Sequence, residues 1–269
     1  MPAFSELGAG VRRLVAPNPS VMTGPGTNTY LFGEKEIAVL DPGPLIDEHI
    51  ETIRRTAGAP IRWVLVTHTH EDHSPAAAAL ASITGAELLG RPAPEGKHQD
   101  ATFAPDKVLE DGEEFATGEL TLKVVHTPGH ASNHVCYLHV GMNMLFTGDH
   151  IIDGSTVVIN PPDGNMKHYL KSLQRVKDLQ CDALAPGHGE VIEDPGRAID
   201  WIVDHRLERE AKVATALAAN PGLTTHELVP HVYKDVHKKL YGWAERSLLA
   251  HLLKLEDDGS ASRVDERWV

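Results

Sequence analysis

The feature that most restricts what this chain can fold into is the stretch 61-IRWVLVTHTHEDH-73, where an apolar run ends on His68, His70, Asp72 and His73 within six positions. The run 61-IRWVLV-66 predicts a strand. Crowding lone-pair donors at the end of a buried strand is costly unless something binds them, because each one gives up its water. A metal ion is the natural counterpart. On an extended backbone alternate side chains leave the same side, so His68 and His70 point together. Asp72 continues that spacing into the following loop while His73 turns away, so one segment can feed two neighbouring metal positions.

The surrounding pattern alternates strands and helices. Residues 28-NTYLFG-33 and 36-EIAVLDPG-43 read as a hairpin, and Ile46, Ile50 and Ile53 fall on one face of a helix that Gly58 ends. After the histidine cluster, Ser74 has the character of an N-cap and Pro75 of a first helical residue, predicting a helix over 75–84 closed by Gly85. Strands are predicted at 120–127, 134–140 and 143–149, then a helix at 166–180 and a strand at 182–186. This order implies a layered α/β architecture. The last part changes character, with a helix at 196–219, the breaker 220-NPG-222, capping-box spacing in 224-TTHE-227 and an amphipathic helix at 244–259. The tail 260–269 is expected to form a hairpin wing. We therefore divide the chain into 1–195 and a helical unit, 196–269.

Composition narrows the partners. The net charge of −13 disfavours attachment to nucleic acid or to an anionic membrane, both of which reward a basic surface. Residues 224–269 carry seven Lys plus Arg against eight Asp plus Glu, so that unit is not basic either. No apolar run approaches a membrane span and the first twenty residues lack the core of a secretory signal, so a cytoplasmic protein is expected. Cys136 and Cys181 sit in apolar stretches and read as buried thiols without a chemical role.

Three further signals, 127-TPGHASNH-134, 147-TGDH-150 and 186-PGHGE-190, each follow an apolar strand and set a histidine or aspartate beside a turn residue. Together with HTHEDH, in this order, they resemble the metallo-β-lactamase superfamily. The stretches GTNTYLFG (26–33), Asp204-His205-Arg206 and HLLKLEDDG (251–259) are most similar to the beta-lactamase-like protein 2 family. One departure is Pro75-Ala76, where relatives commonly have glycines.

The resemblance implies an αββα sandwich with a C-terminal winged-helix-like unit. It implies that His68, His70 and His130 hold one divalent metal ion, that Asp72, His73 and His188 hold a second, and that Asp149 bridges them. Zinc suits this set, with manganese or iron as alternatives. Asp41, in LDPG, matches an acidic motif whose role is to orient the histidine loop. The activity implied is that of a binuclear hydrolase: a metal-bridging hydroxide attacks an acyl ester or thioester carrying an anionic part, and Asp72 orients it or takes the proton. Single-strand RNA cleavage is the alternative, and an anionic substrate of either kind would be met by Lys238, Lys239 and Tyr241. A mononuclear iron sulfur oxygenase would leave Asp72, His73 and His188 without a metal, and a non-catalytic nucleic-acid binder would not need the ligand set. Among the 17 histidines, His49, His98, His139, His205, His226 and His237 are expected to be structural or solvated, as are His134 and His150 beside the motifs.

Overall fold

The strand expected at 61–66 lies inside a seven-stranded sheet. In the computed structural model, which describes residues 4–269, this sheet runs in chain order through β1 (Ser5–Gly8), β2 (Val11–Val15), β3 (Asn28–Phe32), β4 (Ile37–Leu40), β5 (Ile61–Leu65), β6 (Glu87–Gly90) and β7 (Lys107–Val108). The first four strands are antiparallel, whereas β4, β5 and β6 are parallel neighbours. Parallel neighbours need a crossover, and α1 (Asp47–Ala57) and α2 (Ala76–Thr84) supply the two.

A second sheet has the order β12-β11-β10-β9-β8, built from β8 (Glu114–Ala116), β9 (Thr121–His126), β10 (Val135–His139), β11 (Met144–Gly148) and β12 (Ala183–Pro186). Helix α3 (Met166–Asp178) crosses between β11 and β12, which pair in parallel.

The strands read as continuous apolar runs because both of their faces are buried. Tyr30, Leu40 and Leu65 of the first sheet meet Val124, Tyr137 and Phe146 of the second in the central layer. Their sequence neighbours Leu31, Val39 and Val64 turn outward onto Ile53 of α1 and Leu80 of α2. On the opposite side, Cys136, Leu145 and Leu184 pack on Tyr169 and Leu173 of α3 and on Ile199 and Ile202 of α4 (Pro195–Ala219). Two sheets face to face with helices outside give four layers, αββα. Both cysteines are buried free thiols.

The C-terminal unit has its own core. The second half of α4, with Val213 and Leu217, packs on α5 (Thr225–Val232) and α6 (Tyr241–Asp257) around Trp268. A small sheet of β13 (Leu223–Thr224), β14 (Arg263–Val264) and β15 (Arg267–Trp268) forms the wing, and Thr224 and Glu227 make the reciprocal capping box. Helix α4 thus serves two cores, and a division at 195/196 cuts its first half from the sandwich that it helps to bury. Among the described residues no helix is long and apolar enough to cross a membrane.

One local expectation is corrected. Ser74 does not cap α2: its hydroxyl donates to Asp100 Oδ2 at 2.7 Å, and Pro75 occupies the cap position with helical angles. The hydroxyl proton goes to that carboxylate, and α2 starts without a side-chain cap.

Phe146 meets Tyr30 and Phe32 edge-on across the central layer, with ring centroids 4.8 and 4.7 Å apart. Phe146→Ala is expected to cost about 3–5 kcal/mol, read from the midpoint of denaturant unfolding, because the two sheets cannot collapse into the space it leaves.

Candidate metal centre

Sheet direction brings the sequence signals together. Strands β4 and β5 are parallel, as are β11 and β12, and β9 runs with β11 because each pairs antiparallel with β10. The C-terminal ends of β9, β11 and β12 therefore open at one edge of the second sheet. That edge meets the end of β5, where Val135 N donates to Thr67 O at 2.8 Å. The approach is close: a Cβ on Gly148 would lie 2.5 Å from Thr67 Oγ1, and one on Gly187 would lie 2.7 Å from His73 Cε1. Glycine at both places lets the ends of β11 and β12 reach the histidine loop.

The seven residues named above fall into two groups, His68, His70 and His130 in one and Asp72, His73, Asp149 and His188 in the other, each with donor atoms within 4.8 Å of one another. In the first, His70 Nδ1 lies 2.9 Å from His68 Nε2 and 3.0 Å from His130 Nε2. In the second, His188 Nε2 lies 3.1 Å from Asp72 Oδ2. Asp149 stands between them, with Oδ1 3.3 Å from both His73 Nε2 and His188 Nε2, and Oδ2 3.7 Å from His130 Nε2.

The outer nitrogens decide what the inner ones can do. His130 Nδ1 faces Val158 O at 2.7 Å, His188 Nδ1 faces Gly26 O at 3.2 Å, and His73 Nδ1 faces Asp41 Oδ2 at 2.9 Å. Each partner only accepts, so each Nδ1 carries a proton and each Nε2 is the inward atom left to bind an ion. His68 follows the same rule at one remove. Thr67 Oγ1 donates to Asp41 Oδ2 at 2.7 Å and so is left to accept from His68 Nδ1 at 3.0 Å. One proton on His70 Nδ1 can satisfy only one of its two neighbours. The buried atoms His73 Nε2 and Asp149 Oδ1 make no hydrogen bond at all. Converging lone pairs with unsatisfied buried acceptors fit a cation in each group, and mixed imidazole and carboxylate donors suit a divalent one.

Electrostatics points the same way. Burial, reinforced by the neighbouring imidazoles, holds His68 well below its usual pKa and His70 at about 3, and burial also lowers His130. Burial would raise the carboxylates, but His188 and His73 bring Asp149 well below its ordinary value, and His73 and His188 lower Asp72. Burial opposes protonation of His73 and His188, yet the surrounding carboxylates win, raising His73 well above its usual value and His188 to about 10. A divalent ion would take the place of those protons.

Asp41 sits where the motif suggested. Its carboxylate accepts from Thr67 N at 2.7 Å, Thr67 Oγ1 at 2.7 Å and His73 Nδ1 at 2.9 Å. His134 and His150 are buried outside both groups; His134 Nδ1 meets Thr127 Oγ1 at 2.9 Å and its ring packs 5.0 Å from that of His68. Thr67 was not singled out from the sequence, since a threonine in a strand carries no signal beyond β-propensity.

A cleft of about 960 Å³ opens over both groups. Its far wall corrects one expectation: Leu240, Trp243 and Arg246 line it, and Lys238, Lys239 and Tyr241 do not. Lys238, Lys239 and Leu240 form a 3-10 turn before α6, and on α6 itself Trp243 and Arg246 share a face at i, i+3 spacing. Lys238 and Lys239 point to solvent and Tyr241 packs on the core of the C-terminal unit.

Asp149→Asn is expected to weaken metal retention in both groups, whereas His188→Ala empties mainly the second; equal loss in a stepwise metal titration would contradict the shared position of Asp149. Asp41→Asn places an amide against three donors. It should lower metal affinity ten- to a hundredfold and cost the metal-free protein about 1–3 kcal/mol, read by thermal unfolding.

Comparison with known proteins places these features in context. Residues 22–188 match the model of the metallo-beta-lactamase superfamily, and residues 224–268 match the beta-lactamase associated winged helix domain. The chain is 33% identical to the Beta-lactamase-like protein 2 homolog of Drosophila melanogaster, over all of this chain and 97% of that protein. It is 29% identical to an Atrochrysone carboxyl ACP thioesterase of Passalora fulva, over 96% of this chain and 79% of that one. A beta-lactamase domain protein from Burkholderia ambifaria has the same fold, with a TM-score of 0.85 at 23% identity, covering 100% of this chain and 94% of that chain.

Proposed function

This chain belongs to the metallo-beta-lactamase superfamily, as a hydrolase with a winged-helix domain, and we propose that it is a binuclear enzyme acting on an acyl ester or thioester with an anionic part. The observation that carries the reading is the inward orientation of seven donors in two groups with Asp149 between them. His68, His70 and His130 would hold one divalent ion, Asp72, His73 and His188 the other, and Asp149 both, with zinc the best match to the donors and manganese or iron the alternatives. When bound, such ions polarise a carbonyl and lower the pKa of a coordinated water to about 7.

The chain's own residues supply the rest. Asp72 Oδ2 faces His188 and His73, which leaves Oδ1 to take the proton of the attacking water; its side chain is 29% exposed, more than that of Asp149 at 13%. Val21, Met22, Leu240 and Trp243 are exposed apolar side chains along the cleft, a surface for an acyl body to cover. Arg246 and Lys97 line the same cleft and make no ion pair among the described residues. Nearby Glu190 is bound to Arg13, and Asp163 accepts from Gln99 and Ser132. Two free cations over an apolar trough match an amphiphilic acyl anion better than a polynucleotide, which rewards a continuous basic track. The thioesterase named among the similar proteins supports a thioester, and the architecture does not imply lactam hydrolysis.

The test is a panel of acyl thioesters, esters and single-stranded RNA, offered before and after chelation. We expect thioester turnover that is lost on chelation and returns with zinc or manganese, and about two ions per chain by elemental analysis. Arg246→Glu should raise KM for a thioester with a terminal carboxylate about tenfold and leave a neutral one of equal length unchanged. One tightly held iron with full activity would remove the binuclear reading, and cleavage of RNA alone would remove the acyl one.

A further inference from the structure

The stretch Asp204-His205-Arg206 contributed to the family resemblance, yet nothing in the site so far uses it. We propose that Arg206 is a positioning residue that sets the imidazole of His130 from helix α4, through the irregular segment 155–160. The metal-hydrolase reading enters only in what the first donor group holds.

Arg206 is 4% exposed and makes no ion pair among the described residues. A buried guanidinium without a carboxylate is expensive, so what it touches is informative. Its Nη2 donates to the carbonyl of Val157, and its Cζ lies 5.5 Å from the centre of the Tyr169 ring. The next carbonyl, Val158 O, is the one that accepts from His130 Nδ1 at 2.7 Å. Residues 155–160 belong to no strand or helix, so no ladder of backbone hydrogen bonds fixes these carbonyls. Val157 O and Val158 O lie on consecutive peptide planes that share the Cα of Val158, so holding the first plane still removes one of the motions by which the second can turn.

Tyr169 adds a second branch. Its hydroxyl donates to His150 O at 3.0 Å, directly after Asp149. Gly129, directly before His130, lies on the Tyr169 backbone, where a Cβ would come within 2.4 Å of Tyr169 Cα. The Arg206–Tyr169 pair therefore supports the chain beside His130, the acceptor of its outer proton and the residue after Asp149. Burial of Val157 and Ile159 holds the segment in place, but it does not set the direction of its carbonyls. That direction is what Arg206 contributes.

The test isolates the first group in the full-length chain. With His188→Ala as background, zinc affinity is measured by chelator competition with and without Arg206→Met, which keeps an apolar stem and removes the donors. Hydrogen exchange of the His130 Nδ1–H is followed by NMR in the same proteins. We expect the added substitution to weaken zinc binding about tenfold or more and to speed that exchange, with Arg206→Lys intermediate. Leu228→Ala, in the apolar core of the C-terminal unit, is the control: it lowers the unfolding temperature and leaves both readings alone. Zinc affinity within about twofold of the background, with unchanged exchange, overturns the inference. Should Arg206→Met fail to fold, Arg206→Lys decides by the same two readings. Should the background protein bind no zinc, the metal reading fails while exchange in the metal-free protein still decides the role of Arg206.

Discussion

The carboxylate of Asp41 is the contact on which the arrangement of the candidate metal centre depends. It is 2% exposed and sits at a positive φ of 47°, a conformation that costs a non-glycine residue about 1–2 kcal/mol. Burying a charge is affordable here because three donors meet it, two from Thr67 and one from His73. The same carboxylate therefore reaches both donor groups. It fixes the tautomer of His73 directly, and that of His68 through the Thr67 hydroxyl.

The pattern repeats around the centre with other acceptors. His130 is oriented by Val158 O and His188 by Gly26 O, each in a segment outside regular secondary structure. Such carbonyls have no ladder to hold them, so their placement falls to neighbouring side chains. Asn28 holds the loop that carries His188 itself, donating to both Pro186 O and Gly189 O at 2.9 Å. Binding chemistry at the sheet edge thus draws on residues far apart in the sequence, each holding one backbone group still.

The C-terminal unit joins this arrangement through one helix. Ile199 and Ile202 of α4 lie in the sandwich core and Val213 and Leu217 in the winged unit's own core. A rigid helix that shares two cores carries α6 to the mouth of the cleft, where Leu240, Trp243 and Arg246 face the donors. Lys167 and Asp258, 2.8 Å apart, tie the end of α6 to α3 at the surface.

The sequence by itself carried the order of the longer strands and helices and the wing, and its motifs, through the family resemblance, pointed to the seven residues that meet in two groups. Continuous apolar runs, glycine stops and histidines set behind strands are local features of the chain. Asp41 came from the match of LDPG to the family's acidic motif, since a turn aspartate before Pro-Gly has a structural explanation of its own. The short strands β1, β2, β6, β7 and β8 escaped notice, since two to five residues with partners only across the sheet leave little periodicity. Tertiary structure alone decided the rest. Ser74 donates to Asp100 and does not cap its helix, because the path of the chain sets a buried carboxylate 26 residues away against its hydroxyl. Arg246 faces the cleft because the phase of α6 is set by packing against α4 and α5 and not by the charges along it, and Lys238 and Lys239 turn to solvent in the 3-10 turn before that helix. Which acceptor holds each histidine follows from sheet register and loop path, and no stretch of sequence near a histidine names a carbonyl that reaches it from 28 residues on, as Val158 reaches His130.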